Sequence, residues 1–291
     1  MQTIVLENVD SFDLTHIFEC GQCFRWNKNE DGTYTGVIEQ YVLNVKKCEK
    51  DKVEIKCYTN KPKTQEQLFK FCSEYFDLGR DYRKIKQKLS LIDDNMKVSI
   101  KYGDGIRILN QNLWETIISY IISANNNIPR IKGIIEKICK KYGNKIDVDG
   151  KEYFTFPTPS QLSKASVSDL RALGLGFRDV RVYETTQLIL NKKIDLEILP
   201  NQTTEELKQT LQTLPGVGPK VADCILLFST LKRADVFPVD VWVRRVMNDL
   251  YIHNPNEEKV NKKEIEKLAY EKFSDLAGIA QQYLYYWKRE Q

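Results

Sequence analysis

Over residues 1 to about 60, apolar and polar positions alternate in the rough two-residue rhythm of strands. The stretch GTYTGVIEQYVLNVKKCEKDKVEIKCY (32–58) is rich in β-branched and aromatic side chains, with turn signals at Asp31-Gly32 and around Lys50-Asp51. From Thr64 the period changes. TQEQLFKFCSEYF (64–76) and LWETIISYIISA (113–124) place apolar residues at helical spacing, and the pattern predicts no further strand. The expectation is an α+β chain: an antiparallel sheet domain with flanking helices over residues 1–97, then a mainly α-helical body over 98–291.

The helical half carries an internal echo. DLRALGLGFRDV (169–180) and LQTLPGVGPKVAD (211–223) share the pattern Gly-apolar-Gly-x-basic, each between two amphipathic stretches. Both read as tight helix-to-helix hairpins with a positive charge just past the turn. In the second, Gly216 and Gly218 permit backbone angles closed to other residues, and Pro219 suits the first turn of a helix. The free N–H groups of that turn would suit an anion, although the same hairpin could serve only as a connector. A P-loop is excluded, because its four-residue spacer and following Ser or Thr are absent.

Lys220 and Cys224 are four residues apart and share a helical face, with Asp240 twenty residues beyond in FPVDVWVRRVM. Each also has a plain structural reading: Lys220 in solvent, Cys224 in the core, Asp240 as an N-cap.

A formal charge of +4 on 291 residues is only mildly basic, so any nucleic-acid binding depends on a local patch. Seven cysteines, an odd number, argue against a disulfide scaffold and for reduced thiols in a cytosol. The start MQTIVLENVDSFDLTH lacks a basic leader and apolar block, and no apolar run reaches bilayer length; a soluble, intracellular monomer is expected. CGQC (20–23), with Cys48 and Cys57 downstream, admits a zinc reading, but no second close pair follows. The two histidines, His16 and His253, lie in no hydrolase-like context.

LPGVGPKVADCILLF followed by VFPVDVWVRRV resembles the helix-hairpin-helix DNA glycosylases, in which a lysine after the hairpin marks members that also cleave at the abasic site. GQCFRW (21–26), SANNNIPRI (123–131), LGLGFR (173–178) and AGIAQQYLY (277–285) narrow the resemblance to the 8-oxoguanine DNA glycosylase family. It implies two helical subdomains with a cleft between them, and the helix-hairpin-helix at about 204–231. No cysteine follows Cys224, which excludes the iron–sulfur cluster of the endonuclease III branch.

The resemblance implies a bifunctional enzyme that flips 8-oxoguanine from double-stranded DNA and cuts its N-glycosidic bond through a lysine Schiff base. It then nicks the strand by β-elimination. Lys220 would be the nucleophile, its pKa lowered by desolvation, with Asp240 stabilising the developing charge. Gly21, Cys224, Gln281 and Tyr285 would receive the base. Leu214, Gly216 and Gly218 would grip phosphate, with a monovalent cation as an optional companion and no other cofactor or metal. Asn125 and Phe177 would fill and wedge the duplex, and Arg130 and Arg178 would read a partner cytosine. Phe177 stands where relatives often carry tyrosine, and Trp242 where they often carry histidine. The alternatives are a non-catalytic DNA-binding module and a glycosylase for another damaged base, such as an alkylated one.

Overall fold

The computed structural model describes residues 1–49, 51–59, 61 and 63–291. Five strands, β1 (Gln2–Leu6), β2 (Trp26–Lys28), β3 (Tyr34–Ile38), β4 (Tyr41–Glu49) and β5 (Lys52–Tyr58), form one antiparallel sheet in the order β1-β5-β4-β3-β2. Alternation decides the faces: Val53, Ile55 and Cys57 of β5 point inward while Lys52, Glu54 and Lys56 stay partly wet. The turn read around Lys50-Asp51 joins β4 to β5, and Lys50 lies outside the described residues.

Helix α1 (Leu14–Phe18) precedes β2. After the sheet come α2 (Gln65–Tyr75), α3 (Tyr82–Ser90), α4 (Asp94–Tyr102), α5 (Leu113–Ser123) and α6 (Ile128–Tyr142). Thr64 and Gln67 close α2 with a reciprocal capping box, which ends the strand region sharply. The chain continues through α7 (Pro159–Leu162), α8 (Val167–Ala172), α9 (Asp179–Leu190), α10 (Thr204–Gln212), α11 (Pro219–Phe228), α12 (Val241–Met247), α13 (Lys262–Phe273) and α14 (Ala277–Arg289). No helix among the described residues is long and apolar enough to cross a membrane.

Contrary to the expectation that no strand follows residue 64, β6 (Lys145–Val148) and β7 (Lys151–Phe154) pair as an antiparallel hairpin. Its turn is Asp149-Gly150, with φ +52 and +81, a connection whose twist matches the flanking strands. Four-residue strands give too little alternation to be recognised alone. They are stabilised from outside, because Ile146 packs with Val37 and Val42 on the second face of the N-terminal sheet.

Two large cores result. One lies between the sheet, α1 and α2, and the other runs through the helical body. The expected boundary at 97/98 falls inside α4, whose Met96 and Ile100 pack in the helical core. The segment Cys20–Trp26 is shared: Cys20 and Phe24 enter the helical core, Cys23 and Trp26 the sheet core. The turn at Gly21 is thereby pinned at the seam, facing the helices.

Candidate active site

Helices α10 and α11 form the second hairpin. Leu214 and Val217 are buried and anchor the turn, while Gly216 adopts φ +86. A Cβ on Gly216 would lie 2.8 Å from Arg181 Cδ, so both the angle and the packing require glycine. Gly218 caps α11 with no side chain, and a Cβ there would meet nothing within 4 Å. The N–H groups of the first turn are thus open to a ligand. Underneath, Lys208 Nζ of α10 lies 3.0 Å from the buried Asp223 carboxylate of α11, tying the two helices together.

The other hairpin differs at this point. Asp179 occupies the start of α9, its Oδ1 accepting from Val180 N at 2.6 Å and its Oδ2 from Arg171 Nε at 2.6 Å. A buried carboxylate already complements that helix end, so the echo in sequence does not make a second anion site.

Every residue of α11 from Val221 to Phe228 is buried, so the helix enters the core and leaves Lys220 at the mouth. Lys220 Nζ lies 5.5 Å from the centroid of the Tyr120 ring. Asp240 caps α12, accepting from Val243 N at 2.8 Å, which fixes its carboxylate. Lys220, Cys224 and Asp240 line one pocket with Gly21, Tyr120, Gln281 and Tyr285. The catalytic pair and the four base-binding residues expected from the sequence therefore share a single cavity.

Burial pushes the Cys224 thiol up to about 11. For Lys220, burial alone pulls the pKa down, but Cys224 and the Asp240 carboxylate outweigh it, and the net shift is upward. In the DNA-free chain the side chain rests as an ammonium held among acceptors, with desolvation opposing that charge.

Two polar groups in the pocket have nothing to bind. Gln281 is 5% exposed, and its Oε1 is buried without a partner. Gly21, at φ +90, sits against Tyr285: a Cβ there would lie 3.5 Å from Tyr285 Cε1. Among the described residues no donor reaches the Gly21 carbonyl oxygen. Buried polar atoms are normally satisfied, so the unpaired Gln281 Oε1 marks space for a polar ligand, with Gly21 on the same wall.

Beside the pocket, Asn125 is exposed at the end of α5 with φ +51. Phe177 is 53% exposed, with the guanidinium carbons of Arg178 and Arg181 at 4.2 and 5.0 Å from its ring centroid. Arg130 is exposed on α6, near the Gly174 carbonyl. Arg178 is different. Its side chain is buried and donates to the carbonyls of Ala124 (2.8 Å), Asn125 (2.7 Å) and Leu175 (3.2 Å). In the DNA-free chain nearly all its donors are used inside the protein, where it props the Asn125 loop. Trp242 is 51% exposed, stacked by Arg245 at 5.5 Å.

Cys20 and Cys23 are buried, bonding to the carbonyls of Ile17 and Phe18, whereas Cys48 is exposed on β4. Among the described residues no group of three or more His, Cys, Asp or Glu could hold a metal ion. Tyr120 and Gln282 were not anticipated. Tyr120 lies in an apolar run that reads as core, and nothing local distinguishes Gln282 from Gln281 beside it.

Comparison with known proteins gives a consistent picture. Residues 4–117 match the family described as 8-oxoguanine DNA glycosylase, N-terminal domain, and residues 118–273 the HhH-GPD superfamily base excision DNA repair proteins. The N-glycosylase/DNA lyase of Saccharomyces cerevisiae is 32% identical over 82% of this chain and 68% of that protein. The structure of Clostridium acetobutylicum 8-oxoguanine glycosylase/lyase, in complex with double-stranded DNA containing cytosine opposite 8-oxoguanine, superposes with a TM-score of 0.91. That protein is 42% identical, over 99% of this chain and 95% of that one. The 3-methyladenine DNA glycosylase of Archaeoglobus fulgidus, 20% identical with a TM-score of 0.77 over 99% of each chain, shares the fold.

Proposed function

The chain belongs to the helix-hairpin-helix (HhH-GPD) superfamily of base excision DNA repair proteins, and on that ground we propose that it excises 8-oxoguanine from duplex DNA and nicks the strand, with Lys220 as nucleophile. The observation that carries this reading is the single pocket that Lys220, Cys224 and Asp240 line with Gly21, Tyr285 and Gln281, whose Oε1 is buried without a partner.

Extruding a base costs a few kcal/mol. The N–H groups of Gly216 and Gly218 offset part of this by holding phosphate, while Asn125 and Phe177 occupy the disturbed stack. The extruded base lies between Cys224 and Tyr285. Its N7–H donates to Gly21 O, whereas guanine would present a lone pair to that oxygen. Exchanging a hydrogen bond for a repelled, unpaired acceptor costs on the order of 1–3 kcal/mol. Gln281 takes the Watson–Crick edge.

Lys220 first loses a proton. Its amine attacks C1′, the N-glycosidic bond breaks with its electron pair leaving on the base, and the positive charge developing on the sugar faces the fixed Asp240 carboxylate. Ring opening gives the iminium. Loss of a C2′ proton then expels the 3′ phosphate, and water releases the lysine.

On the opposite strand Arg130 reads the partner cytosine, where guanidinium donors suit base acceptors. One protomer contains all of these residues, consistent with action as a monomer. Neutral carbonyl oxygens suit a monovalent cation, and Leu214 O and Pro215 O of the hairpin each keep a lone pair beyond their bonds to Val217 N and Thr185 Oγ1.

The test is a duplex with one 8-oxoguanine opposite cytosine, beside the same duplex with guanine. Base release and a strand break on the first alone are expected. Tight binding without release would instead support a DNA-binding module, and release of an alkylated base in preference would support a different substrate.

A further inference from the structure

The discrimination proposed above needs one carbonyl, Gly21 O, to stay pointed at the base. Residues 19–25 link α1 to β2, and of the four carbonyls of 19–22 three are bonded by side chains. Arg289 Nη2 donates to Glu19 O at 2.6 Å, and Gln282 Nε2 donates to Cys20 O at 2.6 Å. Gln22 O accepts from Gln111 Nε2 at 2.8 Å and from the Tyr120 hydroxyl at 3.2 Å. Only Gly21 O, among the described residues, is left over.

Gly21 makes this turn possible and also makes it fragile. A glycine peptide reorients cheaply, and rotation of the Gly21–Gln22 peptide would present the Gln22 N–H where the oxygen now stands. A donor there would welcome guanine N7 and repel the N7–H of 8-oxoguanine, inverting the preference. Bonds to the carbonyls on both sides oppose that rotation. On the Gln22 side the anchor is deep, since the Gln22 amide also binds Ile17 O, Arg107 O and Leu109 N. On the other side the anchors come from the C-terminal helix. Gln282 is 2% exposed, and Arg289 lies two turns further along α14. The Arg289 guanidinium also lies 5.6 Å from the Tyr285 ring centroid, so it braces the turn and the stacking ring together.

We infer that Gln282 and Arg289 are specificity-determining positioning residues, which hold the Gly21 carbonyl toward the base by binding the carbonyls before it. This inference rests on the proposed reading of the pocket. Neither residue touches the reacting atoms, so their loss changes which base is held rather than how the sugar is attacked.

The experiment measures binding in a Lys220→Gln parent to three duplexes, carrying 8-oxoguanine, guanine or a tetrahydrofuran abasic analogue opposite cytosine. Gln282→Leu is expected to lower the 8-oxoguanine-to-guanine affinity ratio by about tenfold or more, and Arg289→Met by a smaller factor. Affinity for the abasic analogue, which has no base to read, changes by less than about threefold. Arg289→Lys, which keeps a donor, recovers most of the ratio. Because Gln282 is buried, melting curves accompany each variant, and Arg289→Met decides the matter where Gln282→Leu does not fold. An unchanged ratio in folded variants overturns the inference. A parallel loss on the abasic duplex does so too, since it assigns the two residues to the general scaffold. A parent that fails to discriminate overturns the reading of the pocket itself.

Discussion

In the proposed mechanism Lys220 is the nucleophile, and its surroundings set a measurable constraint. Cys224 and Asp240 together outweigh burial and shift its pKa upward, so the ammonium dominates at neutral pH. Only the free amine attacks C1′, and its population rises tenfold per pH unit below the pKa. The single-turnover excision rate is therefore expected to climb with close to unit slope in log rate between about pH 7 and about pH 9. A flat profile over that range would show that the lysine is already deprotonated. The Lys220–Cys224 spacing was legible because four residues make one helical turn. The direction of the pKa shift was not, because it depends on Asp240 arriving from another helix. Arg178 makes the same point: its charge was visible in the sequence, but not the three carbonyls that consume its donors.

In the proposed reading the hairpin between α10 and α11 binds DNA through its backbone, and its two glycines separate folding from binding. Gly216 has φ +86 and no room for a methyl group beside Arg181, so Gly216→Ala is expected to cost about 1–2 kcal/mol of stability from the backbone alone. Gly218 has φ −86 and open space around it, so Gly218→Ala costs less stability yet still weakens DNA binding, because its methyl group projects where phosphate approaches. Denaturant unfolding beside DNA titration checks the pair; equal stability losses would contradict the assignment. Elements with long periodic runs, such as β4, β5, α5 and α11, were readable from the sequence. The β6–β7 hairpin was missed because its stability is borrowed from Val37 and Val42 on a distant sheet, although Asp149-Gly150 carried the turn signal.

The pocket exists only when the whole chain is folded. Its walls come from the turn after α1, from α5, α11 and α14, and from the cap of α12, so residues some 260 apart meet across a few ångströms. No local pattern contains that information, which is why Tyr120 and Gln282 escaped notice while Gly21, Cys224, Gln281 and Tyr285 were found only through motifs shared with a family. The modest charge of +4 fits the proposed reading, in which recognition is concentrated at one face and neutral backbone donors hold phosphate. The proposed chemistry requires a covalent bond between Lys220 and the damaged nucleotide. The most direct measurement is borohydride trapping on a duplex with 8-oxoguanine opposite cytosine, comparing the natural chain with Lys220→Gln. A covalent protein–DNA complex that forms with the natural chain and vanishes in the variant is the predicted result. Base release that proceeds without any trapped complex, or trapping that survives in Lys220→Gln, would contradict it.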